Sequence, residues 1–258
     1  MNRIASHKAN VTAAFSAAAE TYERGAEVQL KVAERLTERV AALPLPTALR
    51  ILEIGCGTGF LTRCLREHVP NATWTVTDIS QAMLSKCEAG LGDTAGMTFK
   101  LMDGEAPDLS RGETFDLICS SLTMQWFENL PVSLQRLSKH LNPGGHIAFS
   151  TLATDSFREW HAAYEGVEEP SGVLECLSVP EIEAALPNDG TARIDEEHIL
   201  QPYDNGLAFL GKLRQIGAQS PRKGHSAASP ATLRKVLRAF DADPRITYHV
   251  AYGIFTKR

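Results

Sequence analysis

Glu53, Gly55, Gly57 and Gly59 occupy alternate positions in the run RILEIGCGTGF, residues 50–60. Their types and spacing suggest a binding chemistry. Glycines in series let a ligand approach bare backbone and adopt turns closed to other residues. A dinucleotide fingerprint, G-x-G-x-x-G, leaves one more residue before its third glycine, so that the next helix end faces a pyrophosphate. Here the pattern is E-x-G-x-G-x-G, led by an acid. A carboxylate at that place repels phosphate and pairs with an ammonium. Asp78 follows Gly59 by 19 residues, close to the separation at which an acid in a doubly wound sheet accepts hydrogen bonds from a ribose diol. Two plainer readings compete: a strand turn built of small residues, and Asp78 as a helix cap.

These residues need a strand, a turn and a helix to position them. Ile51, Leu52 and Ile54 read as a buried parallel strand, and residues 60–68 have helical spacing. Upstream, Val11, Phe15, Ala18 and Tyr22 share one helical face, and Val28, Val32, Leu36 and Val40 repeat the pattern until Pro44 and Pro46. Residues 72–77 form a second strand, and Asp78-Ile79-Ser80 caps a helix carrying Met83, Leu84 and Cys87. Residues 97–102 form a third strand ending at Asp103-Gly104-Glu105, and residues 114–120 a fourth. Leu130, Leu134, Leu137 and Leu141 make a helix stripe stopping at Asn142-Pro143-Gly144-Gly145, before a fifth strand at 146–151. This alternation predicts a parallel sheet wound on both faces.

Beyond residue 154 the pattern loosens. Helices are expected at 156–165, with Phe157, Trp160 and Tyr164 aligned, and from Val179-Pro180-Glu181 through Leu186. Strands are expected at 192–203 and 246–257. The stretch 206–245 between them holds two helical segments, 207–218 and 232–240, far more than a connection requires, and is read as a cap over the strand ends.

The 258 residues, 43% hydrophobic and 22% charged, suit one globular domain. No apolar run reaches membrane-spanning length, and the polar start (Ser6, His7, Lys8, Asn10) is unlike a signal peptide. Five cysteines with no C-x-x-C point to a reducing cytoplasm and, with no histidine pair at ligand spacing, to no metal. The net charge of −5 hides an asymmetry: residues 168–204 hold ten acids and one base, whereas 206–245 hold eight bases and two acids, a net +6. Such a patch implies an anionic partner.

The E-x-G-x-G-x-G turn resembles motif I of the class I S-adenosylmethionine-dependent methyltransferases, and L-x-P-G-G-x-I-A-F, from Leu141 to Phe149, is characteristic of the same group. The resemblance implies a Rossmann-like, doubly wound α/β fold with a mostly parallel seven-stranded sheet. It divides the chain into N-terminal helices (1–45), a cofactor-binding core (46–205), the helical cap (206–245) and a final strand (246–258), all one domain. It also implies S-adenosyl-L-methionine as cofactor and S-adenosyl-L-homocysteine as product. The cofactor residues would be Phe15, Tyr22, Glu53, Gly55, Gly57, Gly59, Asp78, Ile79, Met83, Asp103, Gly104, Glu105 and Ser120. Phe15 and Tyr22 are either core or a pair of aromatics closing over the sulfonium. Between Asp103 and Glu105 as the acid on the adenine amino group the choice is open, with Asp103 preferred.

Nearly end to end, the chain resembles the malonyl-[acyl-carrier protein] O-methyltransferases of biotin synthesis. The matching parts are H-K-A-N-V-T-A-A-F-S-A-A-A-E-T-Y ending at Tyr22, S-x-L-x-x-Q-W from Ser120 to Trp126, F-S-T-L from Phe149, L-R-Q-I-G-A from Leu213, and T-Y-H-V from Thr247. Glu53 stands where some members carry Asp. The implied reaction moves the sulfonium methyl to the free carboxylate of a malonyl thioester, masking a charge so that fatty-acid elongation accepts the chain. A carboxylate is ionised at neutral pH and needs no general base. Catalysis then rests on alignment and partial desolvation. Because negative charge falls as the oxygen attacks, a bidentate Arg would favour the ground state. One cation on the non-attacking oxygen is expected, with neutral donors and an aromatic wall around the other. Arg214 is the candidate cation, against its reading as a solvated helix face. Gln125 and Tyr22 are the neutral donors. Trp126 is either wall or packing.

An acidic acyl carrier protein bearing malonyl-phosphopantetheine would dock on the cap through Lys212, Arg222, Lys223, Arg234, Lys235 and Arg238. The competing functions are quinone C-methylation or aconitate-type O-methylation, cofactor binding without turnover, and nucleic-acid methylation. The last lacks support, since SSLT follows the fourth strand where base-methylating enzymes carry N/D-P-P-Y/F.

Overall fold

A run as apolar as Ile51 to Ile54 is stable as a strand only where both sheet faces are covered. The structure, a computed structural model, describes residues 3–220 and 228–258, with side chains from His7 onward. Two helices come first, α1 (Arg3–Ala18) and α2 (Glu27–Ala41), separated by a 3-10 turn, Tyr22–Arg24. Then follow β1 (Arg50–Ile54), α3 (Phe60–Arg66), β2 (Thr73–Asp78), α4 (Gln81–Leu91), β3 (Met97–Leu101) and β4 (Phe115–Ser121). A second 3-10 turn, Met124–Trp126, leads to α5 (Leu130–Ser138), β5 (Leu141–Leu152), α6 (Arg158–Glu165) and α7 (Val179–Ala184). The chain closes with β6 (Gly190–Pro202), α8 (Gly206–Gln215), α9 (Pro230–Phe240) and β7 (Arg245–Lys257).

The sheet order is β3-β2-β1-β4-β5-β7-β6. Strands β1 to β5 pair in parallel, and β7 runs antiparallel to both β5 and β6. One face packs on α2, whose Val28, Val32, Leu36 and Val40 are buried at helical spacing, and on α3, α4 and α6. The other packs on α5 and α7 through Leu134, Leu137 and Ile182. The strand order reverses at β1/β4, so the crevice for a ligand opens at the C-terminal ends of these two strands.

Three local expectations are corrected. First, Tyr22 is not on the first helix. Thr21 donates its backbone N–H (2.9 Å) and its hydroxyl (3.2 Å) to Ala18 O, which ends α1 and starts a separate turn at Tyr22. Second, Leu141 belongs to the fifth strand, opposite Phe115. The Asn142–Gly145 segment is not a stop but an irregularity within that strand, with Gly144 at φ +77°. Third, Phe157 precedes α6 as its N-cap at φ +62°.

Two helices, α8 and α9, stand between β6 and β7, in the stretch read as a cap. Phe209 of α8 is fully buried among Trp160 (5.1 Å between ring centroids), Tyr203 (5.3 Å) and Phe240 (5.9 Å), so the cap is anchored by aromatic packing to α6. Arg222 and Lys223, two of the predicted docking residues, lie outside the described residues. All five cysteines are free. Among the described residues no helix is long and apolar enough to cross a membrane.

Candidate active site

The glycine turn has the bent backbone its sequence predicts: Gly55, Gly57 and Gly59 all have positive φ, +67°, +54° and +93°. A Cβ on Gly55 would stand 2.3 Å from Thr123 Cγ2, whereas one on Gly57 would meet nothing within 4 Å. Gly57 therefore borders open space.

Asp78 is held by this turn. Its Oδ2 accepts the Gly57 N–H (2.9 Å) and its Oδ1 the Ser80 N–H (2.7 Å). The helix cap is Ser80, whose Oγ accepts the Met83 N–H at 3.3 Å, so the cap-only reading of Asp78 fails. Burial pushes the Asp78 carboxyl up from its ordinary range, opposed by these backbone donors. Glu53, 1% exposed, accepts a hydrogen bond from Thr62 Oγ1 at 2.8 Å. Burial raises its pKa to about 7.

Three compartments that share wall residues run along the strand ends. The first, about 660 Å³, is lined by Glu53, Gly57, Thr58, Asp78 and Met83. The second, about 500 Å³, is lined by Lys8, Val11, Ile79, Met102, Asp103 and Gly104. The third, about 580 Å³, lies toward the cap and is lined by Gln125, Leu152, Phe157, Leu213 and Tyr248. Trp126 lines all three, and Phe15, Tyr22, Gln29 and Leu122 form the partition between the first and third. Phe15 packs edge-on against Trp126, 5.5 Å between centroids. Two of the three non-glycine residues with positive φ, Leu122 (+48°) and Phe157 (+62°), sit in these walls. Such strain persists only where surrounding packing enforces it.

The expected residues separate into those the structure brings together and those it does not. Phe15, Tyr22, Glu53, Gly55, Gly57, Asp78, Ile79, Met83, Asp103, Gly104, Glu105, Gln125 and Trp126 all line the compartments. Gly59 instead precedes α3, where a Cβ would stand 2.8 Å from Cys87 Sγ. Ser120 is fully buried behind the wall, donating to Ile54 O at 2.9 Å, and its neighbour Ser121 faces the first compartment. Glu105 accepts the Glu128 and Asn129 N–H groups (2.7 and 3.1 Å), bracing the approach to α5. This leaves Asp103 as the more exposed acid.

Arg214 does not line the third compartment. Leu213 faces the third compartment, and the next residue along a helix points about 100° away. Arg214 is exposed and lines an outer cleft. No lysine, arginine, histidine, aspartate or glutamate lines the third compartment among the described residues.

Sequence reasoning missed four wall residues and one latch. Gln29 and Leu122 stand in the partition, Thr58 and Thr123 beside the glycine turn. Lys8 of α1 bridges Asp103 (2.7 Å) and Glu105 (2.6 Å), fastening the first helix across the second compartment. Asp155, His198 and His249 group their ligand atoms within 4.8 Å, but none lines the compartments. Both ring nitrogens of His249 are engaged, Nε2 with Glu196 at 2.9 Å and Nδ1 accepting the Asp155 N–H at 3.3 Å.

This sheet order, with its antiparallel seventh strand and a glycine turn flanked by Glu53 and Asp78, defines the class I S-adenosylmethionine-dependent methyltransferases. A family model described as a methyltransferase domain matches residues 52–147. The biotin biosynthesis bifunctional protein BioCD of Bordetella avium is 46% identical over 244 residues, 94% of this chain and 51% of that protein, so the chain spans about half of this relative. The malonyl-[acyl-carrier protein] O-methyltransferase of Magnetococcus marinus is 41% identical over 240 residues, 92% of this chain and 88% of that protein. Among solved structures, the plantazolicin methyltransferase BpumL in complex with SAH is similar over 99% of both chains, with a TM-score of 0.55 at 17% identity, a likeness of fold alone. The chain belongs to the malonyl-[acyl-carrier protein] O-methyltransferase family.

The residues present fit S-adenosylmethionine. Thr58 lines the first compartment, and its Oγ1 is buried without a hydrogen-bond partner among the described residues, leaving a polar atom for a ligand to satisfy. Glu53 matches an ammonium, Asp78 a ribose diol and Asp103 an exocyclic amine, while the open space over Gly57 admits the ligand backbone.

Proposed function

We propose that this protein transfers the methyl group of S-adenosylmethionine to the free carboxylate of a malonyl thioester on acyl carrier protein, giving the methyl ester and S-adenosylhomocysteine. The carrying observation is the third compartment, whose walls among the described residues are aromatic and aliphatic with only neutral polar groups, and which shares Phe15, Tyr22, Gln29, Leu122 and Trp126 with the cofactor compartment. A nucleophile that is already ionised needs no base, and a site with none suits it. C-methylation of a phenol-like ring requires one. The sulfonium supplies an electrophilic methyl group when the cofactor is bound. The protein's part is to align and desolvate the carboxylate. With no cation in the wall among the described residues, the attacking oxygen is not stabilised there in its charged ground state, which favours the transition state where charge is lost. Assays of malonyl thioester beside quinone precursors and aconitate test this reading: methyl transfer to malonyl alone is expected, and transfer only to a ring carbon overturns it.

Tyr22, Gln29 and Gln125 are the neutral donors in this reading, and Trp126 with Phe15 is the wall. Burial pushes the Tyr22 phenol well up, so it stays protonated and donates. Its hydroxyl has no hydrogen-bond partner among the described residues. Tyr22→Phe keeps the ring and removes the hydroxyl. A fall in kcat of about tenfold is expected, the loss of roughly one hydrogen bond to a charged group. Unchanged kcat would remove Tyr22 from the donors.

Glu53 makes cofactor binding pH-dependent. Its folded pKa of about 7 lies above the ordinary 4.5, so the free protein takes up a proton here as pH falls through 7. The neutral acid cannot pair with an ammonium. Affinity for S-adenosylmethionine should therefore weaken about tenfold per pH unit below 7 and level off above it. The sign for the cofactor-free fold is separate: between pH 4.5 and 7 the native state holds a proton the unfolded chain has released, so stability falls as pH rises across that window. Calorimetry from pH 5.5 to 8 checks the affinity; a flat profile, or the same slope in Glu53→Gln, rules out the role.

The carrier protein docks on the cap, where Arg234, Lys235 and Arg238 are exposed along α9. Lys212 contributes less, because it donates to Arg24 O (2.9 Å) and pairs with Glu27 (3.2 Å). Exposed charges are screened over about 8 Å at physiological salt. Added salt should thus slow methylation of malonyl-carrier protein several-fold more than that of malonyl-CoA, and equal slowing would exclude the patch. The reading places the protein in the cytoplasm, where its five free cysteines stay reduced.

A further inference from the structure

The outer cleft that holds Arg214 is not isolated. It is about 1080 Å³, bounded by Trp160 and Tyr164 of α6, Leu210 of α8 and Leu233 of α9. Val173, Leu213 and Ala218 line both this cleft and the third compartment, so the two spaces are separated by these apolar side chains alone. No acid lines the cleft among the described residues. The Arg214 guanidinium has no ion pair or hydrogen bond there either, in contrast to Lys212 two positions earlier. An arginine beside these apolar side chains, in a cleft without acids, is suited to an anion borne on an uncharged chain.

We propose that this cleft is the entry path of the phosphopantetheine arm, with Arg214 binding its phosphate at the outer mouth. The inference rests on the malonyl thioester reading above and deepens it. A thioester whose carboxylate lies beside Trp126 must carry its arm out to the carrier. On the cofactor side, α1 is fastened across the strand ends by Lys8 on Asp103 and Glu105 and by Ser16 against Ser80 (2.8 Å). On the cap side, the apolar side chains of Val173, Leu213 and Ala218 accept the methylene part of the arm, and Gln219 and Ser220 stand at the cleft wall where its amides would pass. The phosphate then meets Arg214 on the last turn of α8, and the exposed bases of α9 lie on the same cap to receive the acidic carrier. Arg214 thus acts on the far end of the substrate rather than on its carboxylate.

The test is steady-state kinetics of the full chain with two substrates, malonyl-carrier protein and malonyl-N-acetylcysteamine, a short thioester without phosphate. In Arg214→Gln the KM for the carrier-bound substrate is expected to rise about tenfold relative to that for the short thioester, and Arg214→Lys to recover most of the loss. Holo-carrier protein should also bind the wild type more tightly than apo-carrier protein, and Arg214→Glu should abolish that difference. An unchanged ratio of KM values in Arg214→Gln, or a holo preference that survives in Arg214→Glu, overturns the entry path while leaving the methyl transfer intact. If the wild type methylates neither thioester, the reading of function falls and the entry path with it.

Discussion

Replacing Asp78 with alanine is expected to weaken S-adenosylmethionine binding by at least about a hundredfold. In the folded chain this carboxylate accepts the Gly57 and Ser80 N–H groups and borders the first compartment. Hydrogen bonds to a charged group are each worth about 1.5–3 kcal/mol, so losing a ribose diol clamp alone accounts for the factor. The variant also leaves two backbone donors without their acceptor, so the glycine turn loosens as well. Asp78→Asn keeps one of the two acceptor oxygens, sets an amide NH2 against the other backbone donor and loses the charge, and should bind with intermediate affinity. Isothermal titration of both variants checks this, and wild-type affinity in Asp78→Ala would remove the ribose from this position.

The second large effect is expected at Trp126, which lines all three compartments and supports Phe15 edge-on. Trp126→Ala joins spaces that are now partitioned and admits water to the reacting carboxylate. A misplacement of reacting groups by about 1 Å costs on the order of a hundredfold, so kcat/KM for malonyl-carrier protein should fall by about that much. Trp126→Phe, which keeps an aromatic face, should lose less. If both variants retain wild-type kcat/KM, with folding checked by circular dichroism, the tryptophan is packing only.

The site was legible wherever chemistry is local in the chain. The strand, glycine turn and helix around Glu53 are contiguous, and Asp78 follows at a separation set by the βαβ unit, so both could be placed without tertiary knowledge. The same holds for the two helices between β6 and β7, whose stretch shows as length a connection does not need. Phe15 and Tyr22 both line the first compartment although they stand on different elements, because Thr21 ends α1 early.

What escaped depends on long-range contacts or on backbone conformation. Lys8 lies 95 residues from Asp103, and nothing in its neighbourhood signals that pairing. Leu122 enters the partition because its backbone is left-handed, a state that leucine's type argues against. Ser120 and Ser121 alternate across a strand, and choosing the wrong one reverses inside and outside. Arg214 is exposed because Phe209 and Leu213 of α8, with Ile216 at its C-cap, take the inward stripe. The expectation of a cation at the carboxylate came from charge balance, and among the described residues no cation lines the third compartment.

The most direct test incubates the purified protein with S-adenosylmethionine and malonyl-carrier protein and determines the mass of the acyl group on the intact carrier. One added methyl group on the malonyl unit, released by mild base as an ester, is the predicted result. A malonyl group that stays unmethylated while the protein binds its cofactor would contradict the account.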